Sequence, residues 1–188
     1  MIELDRRRML EGVGALIGLA ALPASALAAV AGKAPSLDKG TTALATAFAD
    51  TLIPQTDTPG AVQAGVPAQF DALMRDWASP PHRTAYLAAL SAIDAAAVAQ
   101  AGKPFALLPA AQRLTVLTAY DAKNLAGNIA YASLKDLFIN LYYLSEPGAT
   151  VELRYEHNPG VWEASTPITA QTRAWAGAMP PGKLLMIA

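Results

Sequence analysis

Apolar residues recur at helical spacing through the middle of the chain. Leu44, Phe48 and Leu52 stand four residues apart, and this pattern stops at Pro54. It therefore predicts a helix that ends there. Four further apolar stripes follow, each bounded by proline or glycine. Their predicted inward-facing residues are Val66, Phe70, Leu73, Met74 and Trp77; Tyr86, Leu90, Ile93 and Ala97; Leu114, Leu117 and Tyr120; and Leu134, Leu137, Phe138, Leu141 and Leu144. The pattern predicts an all-α fold, a compact bundle of about five helices.

The fifth predicted helix, which Pro147-Gly148 closes, is apolar nearly all round. Ile139, Tyr142 and Tyr143 extend its apolar surface beyond a single stripe. A helix of this kind is usually buried on several sides, either in its own core or against a partner.

The pattern changes after this helix. Residues 148–188 contain several prolines and two of the three tryptophans, but little helical periodicity. Because unstructured loops longer than about 12–15 residues are uncommon unless they are functional, we interpret this segment as an extended C-terminal arm. A short helical turn is predicted near residues 169–176. No segment alternates long enough to predict a sheet.

The N-terminus carries an export motif. Two arginines, one further residue and two apolar residues fit the twin-arginine pattern, with Arg6, Arg7, Met9 and Leu10 as its members. This route carries proteins that are already folded. The alternative is an ordinary signal that threads unfolded chains across the membrane.

A short apolar segment follows the arginines. Residues 13–22 are too few to span a bilayer, which takes about 20 residues. Ala26 and Ala28 then give the small-x-small pattern of a cleavage site. The predicted organisation is a signal peptide (1–28), a linker (29–40), a helical domain (41–147) and the arm (148–188).

Composition excludes several classes of function. The chain has 188 residues and a net charge of −1, and its first 28 residues are charge-balanced. The mature part therefore has no basic excess with which to bind nucleic acid. The chain has no cysteine, which excludes disulfides, covalently attached haem c and cysteine-ligated iron–sulfur clusters.

Candidate chemistry is sparse. The two histidines, His82 and His157, have no His or Cys partner at metal-ligand spacing, and His82 is interpreted as a surface or capping residue. The segment "RYEHNPGVW" holds Arg154, Tyr155, His157 and Trp162. With Trp175, these residues have the composition of interface anchors. Packing in the chain's own core and catalysis by Glu156 and His157 are the alternatives. No catalytic, cofactor or metal residue is predicted.

Two segments carry a family resemblance. "ADTLIPQTDTPGAVQAGVPAQFDALM" and "YLAALSAIDAAAVAQAGKPFALLPAAQRLTVLTAYD" resemble the gluconate 2-dehydrogenase subunit 3 family. The resemblance runs from Ala49 to Asp121 and continues more loosely to Trp175. The motifs are structural rather than catalytic, so their combination carries the likeness.

The resemblance implies a role within a complex. Members are small subunits of exported sugar and polyol dehydrogenases, and they carry the twin-arginine signal for a large FAD-containing partner of the glucose-methanol-choline type. It implies that the twin-arginine translocase exports the folded pair, and that electrons pass from the flavin to a cytochrome c subunit or another carrier. FAD is expected in the partner and no cofactor in this chain. The expected location is the periplasm, free or peripheral to the cytoplasmic membrane.

Two other functions stay open on the sequence. The first is a helical interaction module tethered to the membrane by an uncleaved signal. The second is a stand-alone enzyme that uses Glu156, His157 and Arg154. Neither depends on the family resemblance, and each predicts a different behaviour of the isolated chain.

Overall fold

The computed structural model of the protein describes residues 34–155, 165 and 167–175. The chain divides into two units, Met1–Pro35 and Ser36–Ala188, and the fold described below is that of the second. Several residues predicted as functional lie outside the described ones. They are Arg6, Arg7, Met9, Leu10, Ala26 and Ala28 of the export signal, and Glu156, His157 and Trp162 of the arm.

Five α-helices form the described part of the chain. They are α1 (Lys39–Leu52), α2 (Val66–Asp76), α3 (Pro80–Ala101), α4 (Ala110–Asn124) and α5 (Ile129–Tyr143). A 3₁₀ turn, Phe105–Leu107, lies between α3 and α4, and a π-helical turn, Gly148–Glu152, follows α5. No strand occurs in the described ranges, where the one β-type contact is an isolated bridge between Arg154 and Trp175. The predicted all-α class is therefore confirmed.

Local hydrogen bonds fix the ends of the helices. The Asp38 carboxylate accepts from the backbone N–H of Thr41 at 2.9 Å and caps α1. Asn128 does the same for α5, accepting from the N–H of Tyr131 at 3.1 Å. Gly102 ends α3 in the left-handed region, with φ of 68°, a conformation in which a side chain is disfavoured. Single residues therefore define the start of α1, the end of α3 and the start of α5.

Three phenylalanines form the centre of the core. Phe138 of α5 meets Phe48 of α1 edge-on, with ring centroids 5.0 Å apart. It also meets Phe70 of α2 with centroids 4.8 Å apart. All three rings are fully buried. Aromatic pairs of this geometry contribute beyond the area that they bury, so the cluster joins α1, α2 and α5.

A polar contact supports the junction of α4 and α5. The buried Tyr131 hydroxyl donates to Asp121 Oδ1 at 2.5 Å, and Lys135 Nζ donates to the other oxygen of that carboxylate at 2.5 Å. Burial, and then the hydrogen bond to Asp121, raise the pKa of Tyr131 well above its ordinary value. The phenol therefore stays neutral and acts as a structural donor.

Three residues predicted to face the core are exposed. Trp77 and Leu144 each follow the last residue of a helix, so the helical stripe no longer governs their direction. In α4 the buried face consists of Val116, Leu117 and Tyr120, and the exposed Leu114 lies to one side of it. These three predictions were wrong. The predicted stripe of α3, by contrast, is buried at Tyr86, Leu90, Ile93 and Ala97.

One described helix has the length and composition of a membrane span. Helix α3 has 22 residues and a mean hydropathy of 1.3. It also packs against α1, α4 and α5. Core helices of globular proteins share these properties, so α3 by itself is weak evidence for a membrane span.

Candidate interaction surface

The C-terminal arm begins at a glycine that no other residue can replace without movement. The sequence pattern predicted that Pro147-Gly148 closes the fifth helix. Instead α5 ends at Tyr143, and Gly148 opens the π-helical turn. Gly148 is buried, and a Cβ there would collide with the carbonyl oxygen of Tyr142. The arm therefore leaves the helical domain through a close backbone contact.

Four side chains then attach the arm to the loop between α1 and α2. The Thr58 hydroxyl, which is buried, donates to Glu152 Oε2 at 2.7 Å. Arg173 Nη2 donates to Asp57 Oδ2 at 2.7 Å, and its Nη1 lies 3.8 Å from Glu152 Oε2. We call Asp57, Thr58, Glu152 and Arg173 the clasp. It connects two parts of the arm to the same loop.

Tyr142 of α5 also forms a hydrogen bond with the loop between α1 and α2. The Tyr142 hydroxyl donates to the carbonyl oxygen of Pro59 at 2.8 Å. Burial, and after it the nearby charge of Glu152, raise the pKa of Tyr142. Asp57 is affected in the opposite direction, because the hydrogen bond from Arg173 holds the pKa of its carboxyl below the ordinary 3.8. At neutral pH the neutral Tyr142 phenol therefore lies beside the clasp, in which the Asp57 carboxyl is charged.

Two parts of the arm that are distant in sequence contact each other, at Arg154 and at Trp175. The backbone N–H of Arg154 donates to the carbonyl oxygen of Ala174 at 2.7 Å. The guanidinium carbon of Arg154 lies 4.2 Å from the ring centroid of Trp175, which is the geometry of a cation–π contact. The predicted residues Arg154 and Trp175 are therefore brought together although 20 residues separate them.

Apolar side chains are exposed around this contact. Tyr155 and Trp175 are about half exposed, and Ile168 is 88% exposed. Arginine and aromatic side chains are enriched where protein interfaces are most completely buried. The exposed rings beside the Arg154–Trp175 contact thus have the composition that was predicted for interface anchors.

The sequence did not indicate the clasp. Thr58 and Glu152 are 94 positions apart, and neither lies in a motif that suggests a pair. The bond between Asp57 and Arg173 spans 116 positions. His82 lies where the sequence suggested, at the start of α3, with Nδ1 2.7 Å from the Ser79 hydroxyl. Only the folded structure shows that the clasp residues contact each other, because no local sequence pattern links them.

The described residues hold no group of three or more His, Cys, Asp or Glu side chains arranged to bind a metal ion. This statement covers residues 34–155 and the described part of the arm. His157 and Glu156 lie outside those ranges, so the structure does not place the two residues of the catalytic alternative.

Comparison with known protein families identifies the class of this helical protein. The family model described as gluconate 2-dehydrogenase subunit 3 matches residues 39–160. That range includes all five helices, the clasp residues Asp57, Thr58 and Glu152, and the first part of the arm. The chain belongs to the gluconate 2-dehydrogenase subunit 3 family, whose name denotes one subunit of a multi-subunit dehydrogenase. Comparisons with curated proteins and with solved structures give no match.

Proposed function

We propose that this chain is the non-catalytic small subunit of a periplasmic dehydrogenase, and that it escorts, exports and stabilises a large FAD-dependent partner. Membership of the gluconate 2-dehydrogenase subunit 3 family carries the proposal. The partner is of the glucose-methanol-choline type and oxidises a sugar or a glycoside. FAD belongs to that partner, which passes electrons to a cytochrome c subunit or another acceptor.

The N-terminal sequence supports the export part of this role. Arg6 and Arg7 fit a pathway that accepts folded cargo, and a partner loaded with FAD has to fold before it leaves the cytoplasm. A single signal on the small subunit then serves both chains, provided that they bind each other before export. The interaction surface on the arm supports that binding.

The direct test is purification of the C-terminally tagged chain from the periplasm of its own host. We expect a second, larger chain in stoichiometric amount and an absorbance spectrum with flavin bands. A colourless single chain would contradict the proposal. In that case activity assays of the isolated chain and of His157→Ala would test the stand-alone enzyme.

Export is tested with the paired arginines. We expect the double variant Arg6→Lys, Arg7→Lys to leave both subunits and the dehydrogenase activity in the cytoplasm. Arg8→Lys is the matched control, because it makes the same change outside the pair. Normal periplasmic activity in the double variant would contradict twin-arginine export.

Assembly is tested on the arm. Trp175→Ala removes the ring that Arg154 covers, and loss of a buried interface aromatic typically weakens binding by about 2 kcal/mol or more. Trp77→Ala is the control, because that tryptophan is also exposed but lies at the end of α2. Equal recovery of the large chain with both variants would exclude the arm as an interface.

A further inference from the structure

Two parts of the arm lie side by side and are joined at two points. Glu152 Oε2 lies 3.8 Å from Nη1 of Arg173, and two residues further along each part, Arg154 covers the ring of Trp175. Both pairs are 21 positions apart in the chain, in keeping with the parallel bridge between Arg154 and Trp175. One charged pair and one cation–π pair therefore join the same two segments.

The loop between α1 and α2 gives the charged pair a fixed support. The backbone N–H of Ala61 donates to the carbonyl oxygen of Ile53 at 2.9 Å. Gly60 lies so close to the start of the loop that a Cβ there would be 2.6 Å from the backbone nitrogen of Gln55. The clasp residues of this loop are therefore held in place by the backbone around them.

The arm presents Arg173 to this support from a closed turn. The Thr172 N–H donates to the carbonyl oxygen of Thr169 at 3.1 Å, and the Thr169 N–H donates to the Thr172 hydroxyl at 2.8 Å. Arg173 follows this turn directly, and the carbonyl oxygen of the next residue, Ala174, accepts from the backbone N–H of Arg154 at 2.7 Å. The side chain of Arg173 thus binds the loop, while the residues after it contact Arg154.

Each contact of the outer arm is weak by itself. The side chains of Arg173 and Asp57 are 42% and 75% exposed, and Trp175 is about half exposed. Exposed ion pairs and exposed cation–π contacts contribute little, and two paired segments without a larger sheet are only marginally stable. The arrangement of Arg154 and Trp175 therefore depends on the clasp as well as on their own contact.

We infer that the clasp positions the interaction surface of the arm, and that the large subunit binds the arm in its clasped arrangement. This inference rests on the proposed function and adds its regulation, because conditions that open the clasp weaken assembly without changing any residue of the interface. The apparent affinity falls with the fraction of chains that have the clasped arrangement. Arg173 is then a positioning residue, whereas Trp175 contacts the partner.

The test compares capture of the large subunit by tagged variants of the full chain. We expect Arg173→Glu to weaken capture about tenfold, because it places a negative charge against Asp57 and Glu152. Adding Asp57→Arg forms the ion pair again with reversed signs and should bring capture back to within about threefold of the wild type. Arg75→Glu is the matched control, since Arg75 is also a partly exposed arginine paired with an aspartate but lies in α2.

A double variant separates positioning from direct contact with the partner. Arg173→Glu combined with Trp175→Ala should weaken capture by less than the product of the two single losses, because the clasp acts through that ring. Single losses that multiply would show that Arg173 acts independently of Trp175, and they would overturn the inference.

The emission of Trp175 reports the arrangement of the arm without the partner. In a chain with Trp77→Phe and Trp162→Phe, it should change on Arg173→Glu and return when Asp57→Arg is added. Unchanged emission in Arg173→Glu would also overturn the inference.

Arg173→Gln decides the matter if circular dichroism shows that Arg173→Glu fails to fold. It should capture less than the wild type at low salt, and the difference should shrink at high salt, where the wild-type ion pair is screened. If the wild-type chain captures a larger flavoprotein but the charge swap does not restore capture, the clasp inference is overturned and the proposed function stands. If the wild-type chain captures no flavoprotein, both proposals fall together.

Discussion

The helical domain and the arm are held by different kinds of interaction. Buried aromatic rings join the helices, with Phe138 between Phe48 and Phe70. The arm is held by hydrogen bonds and ion pairs, and Arg173 and Asp57 are both substantially exposed. Aromatic burial is strong and insensitive to salt, whereas exposed ion pairs contribute little and are screened. Salt and pH should therefore affect the attachment of the arm more than the packing of the helices.

The largest expected effect on stability comes from a change in the core of the helical domain. Phe138→Ala should lower the free energy of unfolding by about 3–5 kcal/mol, because it leaves a cavity among three rings. Urea unfolding followed by circular dichroism measures this. Leu144→Ala, at an exposed position just after the same helix, should change it by less than about 0.5 kcal/mol. Equal losses from the two variants would show that the ring cluster does not dominate stability.

A smaller effect is expected where the two regions join. Gly148→Ala should lower the free energy of unfolding by about 1–3 kcal/mol, because the new Cβ meets the backbone of Tyr142 and the turn has to shift. Gly127→Ala is the control, since nothing lies within 4 Å of a Cβ there. Thermal melts of both variants give the result. An unchanged melting temperature for Gly148→Ala would mean that the turn adapts freely.

Breaking the clasp should change the free energy of unfolding least, but it should loosen the attachment of the arm. Arg173→Gln should change the free energy of unfolding by less than about 1 kcal/mol and yet speed cleavage of the arm by thermolysin. Arg75→Gln, which breaks another partly exposed pair with Asp76, should leave that cleavage rate as it is. Slow cleavage in both variants would show that the arm is held by something other than the clasp.

Acid should weaken the same contact. The pKa of Asp57 is lowered in the folded chain, so its pairing with Arg173 is fully present above 3.8 and is lost as pH falls through the lowered pKa. We expect the fluorescence of Trp175, in a chain with Trp77→Phe and Trp162→Phe, to change below that pH. The change should be absent in Arg173→Gln. An identical acid response in both chains would show that the change at Trp175 does not depend on the pairing of Asp57 with Arg173.

Sequence pattern predicted the parts of the fold that depend on local spacing. The stripe of α3 was read correctly because Tyr86, Leu90 and Ile93 all face one core. Leu114 was misplaced although it lies one turn from Leu117 on the same side of α4, because only packing against the neighbouring helices determines which part of that side is buried. Arg113 and Asp50 are 63 positions apart, so no periodicity could reveal their contact.

Two contacts of helix α5 limit where the chain can gain or lose residues. Phe138 and Tyr142 lie one turn apart, the first fixed by the ring cluster and the second by its bond to the Pro59 carbonyl. A residue inserted between them would turn the phenol by about 100° and advance it by about 1.5 Å. The number of residues between Phe138 and Tyr142 is therefore fixed by these two contacts. Insertions and deletions among relatives should collect instead in the turn at residues 125–127, before the Asn128 cap of α5.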